Sequence, residues 1–213
     1  GDAMASDTYS IGILKSIDGG VTWNTTGLSF DVDQQQTVNK IIIHPNYSDS
    51  LYAVTNSNIR ISGDGGNNWQ IVGTIGRWRD IEFKPDNPRV LYAAKQSSGN
   101  SQIFRSTDGG STWTNISGGM LSSRYRPLIA VTPENPNVIY ALFSAADYGY
   151  HGLYKSTDAG DSWVLKSNSP NILGRETSGN GTGGQSWYDL SLGVAPNNEN
   201  LVYEISNFLN THN

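Results

Sequence analysis

Three short stretches of the 213-residue chain set guanidinium groups, aromatic rings and carboxylates side by side. They are GRWRDI (Arg77, Trp78, Arg79, Asp80), SRYRPL (Arg124, Tyr125, Arg126) and SWYDL (Trp187, Tyr188, Asp189). Aromatic faces stack on the C–H faces of sugar rings, and a neighbouring Arg or Asp can make paired hydrogen bonds to hydroxyls or carboxylates. A fourth stretch, SAADYGYHG, adds Asp147, Tyr148, Tyr150 and His151. The same residue types also build a dry interface, in which Trp78, Trp187 and Tyr188 pack between structural layers while Arg and Asp pair with each other. Both readings stay open until the elements that carry these stretches are known.

Those elements announce themselves as a repeat. The pattern Ser-x-Asp-x-Gly-x-x-Trp occurs four times, as SIDGGVTW (Ser16, Asp18, Gly20, Trp23), SGDGGNNW (Ser62, Asp64, Gly66, Trp69), STDGGSTW (Ser106, Asp108, Gly110, Trp113) and STDAGDSW (Ser156, Asp158, Gly160, Trp163). Successive aspartates are 46, 44 and 50 residues apart, the period of an array of supersecondary units and not of one active site. In a tight turn the carboxylate accepts backbone N–H bonds, the hydroxyl adds another, glycine supplies a positive φ, and the indole packs beneath. These sixteen positions are therefore read as structural.

A second element precedes the later boxes. The pairs Pro45/Tyr52, Pro85/Tyr92, Pro133/Tyr140 and Pro196/Tyr203 are each seven residues apart. Each is flanked by β-branched and aliphatic residues around a Pro/Asn/Asp-rich centre, which predicts two strands joined by a tight turn. The short runs IGILKS, NIRIS, QIFRS and GLYKS before the boxes predict a third strand, and the residues from each Trp onward a fourth. No segment keeps helical apolar spacing for three turns.

A four-stranded unit of this size cannot cover both its faces alone, so such units stack, and radial stacking gives a β-propeller. The run Ile41–Ile42–Ile43 fits an inner strand covered on both faces. The expected fold is all-β, with antiparallel four-stranded blades over 37–72, 78–117 and 126–167. The halves at 9–26 and 186–205 are complementary and would complete one shared fourth blade; alternatively the chain is a segment of a larger propeller, or two copies complete each other. Residues 1–8, beginning GDAMAS, are read as a tag remnant, and 206–213 as a tail outside the repeat.

Composition narrows the function classes. There are 24 glycines, no cysteine, 15% charged residues and a net charge of −5. Nucleic acid and anionic membrane are not expected partners, disulfides and cysteine metal sites are excluded, and His44, His151 and His212 are too scattered for a metal cluster. No cofactor is expected. No run of about 18 apolar residues could insert into a bilayer. Sequons begin at Asn24, Asn46, Asn115 and Asn180.

With four boxes and four Pro-to-Tyr hairpins, the chain from Tyr9 to Tyr203 resembles the Asp-box (BNR repeat) β-propellers, which include sialidases, xyloglucan-active glycoside hydrolases, sortilin-type receptor domains and photosystem assembly factors. GILKSIDGGVTW and GQSWYDLSLGVAP look most like the bacterial secreted sortilin/xyloglucanase-like branch. The resemblance implies an extracellular or cell-surface location, and a functional rim opposite the boxes, where the first strand of each blade begins. It implies function only loosely, because the box is shared by enzymes and non-enzymes.

The expected function is a non-catalytic module that binds a glycan or a protein. A xyloglucanase-like fragment is the alternative, with Asp80 and Asp189 as acid and base; an inverting pair stands about 6.5–9.5 Å apart. An assembly-factor-like grip on a partner protein through the same Arg/aromatic rim is the second alternative. The sialidase Arg-Ile-Pro motif is absent, and in the nearest string, NIRIS, Arg60 leads into a box. The glycine-rich stretch NSPNILGRETSGNGTGGQ is either a mobile lid or a passive insertion.

Overall fold

The computed structural model describes residues 10–176, 178–188 and 190–205. Three four-stranded antiparallel sheets follow one another along the chain. The first whole blade contains β3 (Val38–His44), β4 (Tyr47–Thr55), β5 (Ile59–Ser62) and β6 (Gln70–Val72), in that spatial order. The second contains β7 (Arg77–Lys84), β8 (Asn87–Gln96), β9 (Gln102–Ser106) and β10 (Thr114–Asn115). The third contains β11 (Pro127–Val131), β12 (Ile139–Ser144), β13 (Tyr150–Ser156) and β14 (Val164–Ser167). A short 3-10 turn, Val32–Gln34, lies before the first blade.

Two hairpins flank the array, β1 (Gly12–Lys15) with β2 (Asn24–Ser29) and β15 (Ser191–Ala195) with β16 (Asn198–Ile205). They do not join into one shared blade: among the described residues each forms its own two-stranded sheet. The reason lies in what each hairpin grips. Lys15 Nζ donates to Gly65 O (3.0 Å) and Gly27 N–H to Gly66 O (2.8 Å), fixing the first hairpin on the first whole blade. Gly27 is required there, because a Cβ would stand 1.9 Å from Asn67 O. The last hairpin is held on the third blade by Thr132 Oγ1 donating to Ala195 O (2.8 Å), Tyr140 OH to Glu199 O (2.9 Å) and a Lys155–Glu199 ion pair (2.9 Å).

The core lies between blades. Tyr52, Val54 and Ile59 of the first meet Trp78, Ile81, Leu91, Ala93 and Phe104 of the second, while Tyr92, Ala94 and Ile103 meet Ile129, Ile139, Ala141, Phe143 and Tyr154 of the third. Burial of such side chains contributes roughly 1.5–3 kcal/mol each, so contact between blades is what stabilises the sheets. The expectation that Ile41–Ile43 is covered on both faces is corrected: Ile42 packs toward the second blade, but Ile41 and Ile43 are 41% and 59% exposed. The pleat sends alternate side chains to opposite faces, and their face has no preceding first and second strand against it among the described residues.

The box turns are built alike. Asp108 Oδ1 accepts the Ser106 hydroxyl (2.8 Å) and the Thr112 N–H (2.9 Å), and Oδ2 accepts the Thr112 hydroxyl (2.6 Å). Ser106 Oγ accepts the Gly110 N–H (2.8 Å), and the Trp113 indole N–H donates to Gly110 O (2.9 Å). Gly109 and Gly110 have φ of 75° and 90°, the left-handed region that the turn demands. In the last box Trp163 donates instead to Ile116 O of the preceding blade (2.7 Å), so the ring ties one blade to the one before it. Hydrogen bonds hold all four box carboxylates down to about 2, chiefly the residue-four hydroxyl at Asp18, Asp108 and Asp158 and the Asn68 N–H at Asp64.

Candidate functional site

The first strands of successive blades, β3, β7, β11 and β15, lie side by side, and between them opens a cavity of about 470 Å³. Its walls bring together Lys40, Arg79, Asp80, Arg126 and Tyr188, with Leu128, Ile129 and Leu192 among the apolar lining. Arg79, Asp80, Arg126 and Tyr188 thus converge although they span some 110 residues of sequence.

Asp80 is the electrostatic centre. Its Oδ1 accepts Lys40 Nζ of the first blade (2.7 Å) and the Ile81 N–H (2.9 Å), and its Oδ2 accepts the Ile129 N–H of the third blade (2.9 Å). One carboxylate therefore ties three blades. Burial pushes the Asp80 carboxyl upward, and the Lys40 ammonium and the two N–H donors offset this only in part. Glu82 follows the same logic, raised by burial while bonding Lys40 Nζ (2.6 Å). Burial pulls the Lys40 ammonium down, but the two carboxylates outweigh it and leave its pKa raised.

Arg126 spans to the last connection, its Nη1 donating to Ser186 O (2.8 Å) and Trp187 O (2.6 Å). Arg79 Nε donates to Gln96 Oε1 (2.5 Å). The Tyr188 ring is 57% exposed at the mouth and packs against Trp187, with centroids 5.7 Å apart.

Other candidates lie elsewhere. Trp78 is completely buried: its indole N–H donates to Thr74 O (3.0 Å) and its ring meets Phe104 and Trp113, leaving no face for a sugar. Arg124 is buried beside Phe143, donating to Ser101 O and Asn100 Oδ1, and Leu121 O is a further acceptor. Tyr150 is buried under Leu173, with its hydroxyl on Ser167 O (3.0 Å). Arg77 is exposed at the start of β7, Tyr125 and Tyr148 are half-buried, and none of the three lines the cavity. His151 bonds Ser122 O (2.7 Å), and burial lowers its pKa. Asp189 lies outside the described residues, as do 1–8 and the tail 206–213.

The glycine-rich excursion after β14 is folded onto the 145–149 loop. Asp147 Oδ2 accepts the Gly183 N–H (2.7 Å), Asn171 Oδ1 accepts the Tyr150 N–H (2.7 Å), and Asn171 Nδ2 donates to the carbonyls of Gly181 (2.9 Å) and Gly183 (3.0 Å). Leu173, 2% exposed, anchors it beside Leu142 and Tyr150.

Sequence reasoning missed Lys40 and Asn39, whose Nδ2 donates to Trp78 O (2.6 Å). The signal was available: Lys40, Asp80, Leu128 and Ser191 stand five residues before Pro45, Pro85, Pro133 and Pro196, and all four line the cavity.

No protein-family model matches the chain, and no curated protein matches it significantly. Solved structures do. The GH74 xyloglucanase from Xanthomonas campestris superposes with a TM-score of 0.71 at 16% identity, over 93% of this chain and 33% of that one. The GH74 enzyme from Niastella koreensis gives 0.66 at 20% identity, over 88% and 31%. A Hadza microbial sialidase gives 0.50 at 15% identity, over 77% and 41%. The chain thus spans less than half the length of these structures, and the likeness shows the fold. It is a β-propeller architecture. Among the described residues no helix of this propeller is long and apolar enough to cross a membrane.

Proposed function

We propose that the propeller is a non-catalytic binding module whose site is the cavity between the first strands, and that its ligand is a glycan carrying hydroxyls and an acidic group. The observation that supports this is the convergence of Lys40, Arg79, Asp80, Arg126 and Tyr188 on one cavity of about 470 Å³. Lys40 is matched by Asp80 and Glu82, so the positive character of the lining comes from Arg79 and Arg126, which favours an anionic ligand over a neutral one. Tyr188 offers an exposed ring for stacking at the mouth. An extracellular or cell-surface setting goes with this reading.

The hydrolase alternative needs Asp80 to exchange a proton with substrate. Its oxygens are already engaged by Lys40, Ile81 and Ile129, so Asp80 serves here as a tie between blades. The test is retention on an array of neutral and uronate-bearing oligosaccharides. Binding is expected to the acidic members and to fall about tenfold or more in Tyr188→Ala, on the scale of a lost stacking contact. Equal retention by Tyr188→Ala and Arg126→Ala would remove the site from this cavity, turnover of xyloglucan abolished by Asp80→Asn would establish the hydrolase, and capture of peptides alone would favour the protein-binding reading.

A further inference from the structure

The second whole blade lets go of its outer strand early. β10 has two residues, against three in β6 and four in β14, and its ladder stops with Asn115 opposite Phe104. In the first whole blade, by contrast, β6 reaches the first residue of its neighbour, with Val72 opposite Ile59. Beyond Asn115 the edge of β9 is closed by other means. The Ile116 N–H donates to Ile103 O (2.9 Å), and the Ser117 hydroxyl accepts the Ile103 N–H (2.7 Å) where a strand would offer a carbonyl. Arg124 takes the next position: the Ser101 N–H donates to Arg124 O (3.0 Å) and Arg124 Nε donates to Ser101 O (3.0 Å).

Between Ser117 and Arg124 the chain leaves the sheet edge, and a second cavity of about 420 Å³ opens there, a size within the range of small-molecule sites. It shares no lining residue with the cavity between the first strands. Asn100, Gln102, Asn115 and Ser122 give it a polar lining and Met120 an apolar one. Buried groups hold the walls. Ser117 and Arg124 are themselves buried, and Met120 packs against the core shared by the second and third blades.

The lining presents amides and hydroxyls, and its one charge is already engaged. The Arg124 guanidinium donates to Ser101 O, Leu121 O and Asn100 Oδ1 (2.9 Å), with the Phe143 ring beside it. These bonds also orient the amides. Asn100 Oδ1 accepts Arg124 and Asn115 Oδ1 accepts the Ser117 N–H (2.9 Å), so each of the two asparagines presents its Nδ2 as a donor. Among the described residues neither end of the Gln102 amide has a partner. No carboxylate lines the cavity, so an ammonium ligand finds no counter-charge there. Neighbouring hydroxyls, each of which donates and accepts, match this set of groups.

We propose that this cavity is a second binding site, separate from the one between the first strands, and that it takes a neutral saccharide unit. Gln102 bridges two adjacent hydroxyls through Oε1 and Nε2, Asn100 and Asn115 donate to further sugar oxygens, and Met120 meets the C–H face of the ring. A peptide strand is the poorer fit. Peptides dock on sheet edges through free backbone groups, and here the N–H and C=O of Ser101 and Ile103 are already bonded to Arg124, Ile116 and Ser117. The site stands on these residues alone and does not depend on the acidic ligand of the first cavity.

Side-chain amides give their own NMR signals, which makes the site testable on the unsubstituted chain. In a titration with neutral di- to tetrasaccharides of glucose, mannose, galactose and xylose, the amide signals of Asn100, Gln102 and Asn115 should shift together and saturate with one dissociation constant. Gln102→Ala and Asn115→Ala should each weaken that constant about threefold to tenfold, the scale of one or two lost hydrogen bonds. An excess of a uronate-bearing oligosaccharide should leave the shifts in place, so that failure of this site and failure of the first cavity are read separately. The proposal is overturned if no saccharide moves the three signals at the highest concentration reached, or if both variants bind as the unsubstituted chain does. Displacement by the acidic oligosaccharide would also overturn it, as would shifts produced by a neutral tripeptide and by none of the saccharides.

Discussion

Asp80 and the box aspartates are the same residue put to opposite electrostatic use. Asp80 is buried and paired with Lys40, so Asp80→Ala leaves buried donors without an acceptor; urea unfolding should show a loss of about 3–5 kcal/mol. The box carboxylates, exposed at Asp18, Asp64 and Asp158 and half-buried at Asp108, are held at about 2 by hydroxyl and N–H donors, against an ordinary value of 3.8. A folded-state pKa below the unfolded one stabilises the fold fully above the unfolded value and is lost as pH falls toward the folded value. Melting temperature should therefore drop as pH is lowered from about 4 to 2, and Asp108→Asn should flatten that slope; a profile unchanged by the substitution would contradict the assignment. Residue-scale reading of the rim was uneven for a physical reason. The ladder register shifts between Trp78 and Asp80, so alternation along β7 is broken just where it would have told an inward ring from a cavity-facing one. Trp78 accordingly sits in the core while Arg79 and Asp80 line the cavity.

At the scale of elements, the hairpins and box turns were legible because their signals are local: a proline seven residues before a tyrosine, and a serine, aspartate and tryptophan at fixed offsets. The excursion after β14 was not, because its anchors are backbone carbonyls and the single carboxylate of Asp147, which carry no periodic signature. Its deepest apolar anchor is Leu173, with Ile172 half-buried against the same cluster. Leu173→Ala should cost about 2–5 kcal/mol where the cavity left behind cannot collapse, and should speed proteolytic cleavage within 168–186 before the blades themselves unfold. Cleavage at an unchanged rate would mean that the polar ties of Asp147 and Asn171 suffice to hold the excursion.

For the whole molecule, stability resides in blade-to-blade contact, and the cost of a substitution should follow whether its blade has a neighbour. Trp113 is packed against the first blade and Trp23 is largely in solvent, although both close the same turn. Trp113→Ala should cost about 3 kcal/mol and Trp23→Ala under about 1, read from paired denaturant curves. Equal losses would mean that the ring acts only inside its own turn. Sequence periodicity carried the architecture this far, since stacking follows from a unit that cannot cover itself. The fate of the two half-blades depends on which surfaces each hairpin grips, and those contacts join residues such as Lys15 with Gly65 and Lys155 with Glu199 that no local pattern links.

The graded burial of the six tryptophans also makes the chain its own optical instrument. Trp78 is shut away entirely while Trp23 stands in water at one end face. A collisional quencher such as iodide will therefore dim the Trp23 emission first and leave the blue-shifted Trp78 emission intact. Anything that covers the end face will show as protection of that single red-shifted component, in solution and without a label.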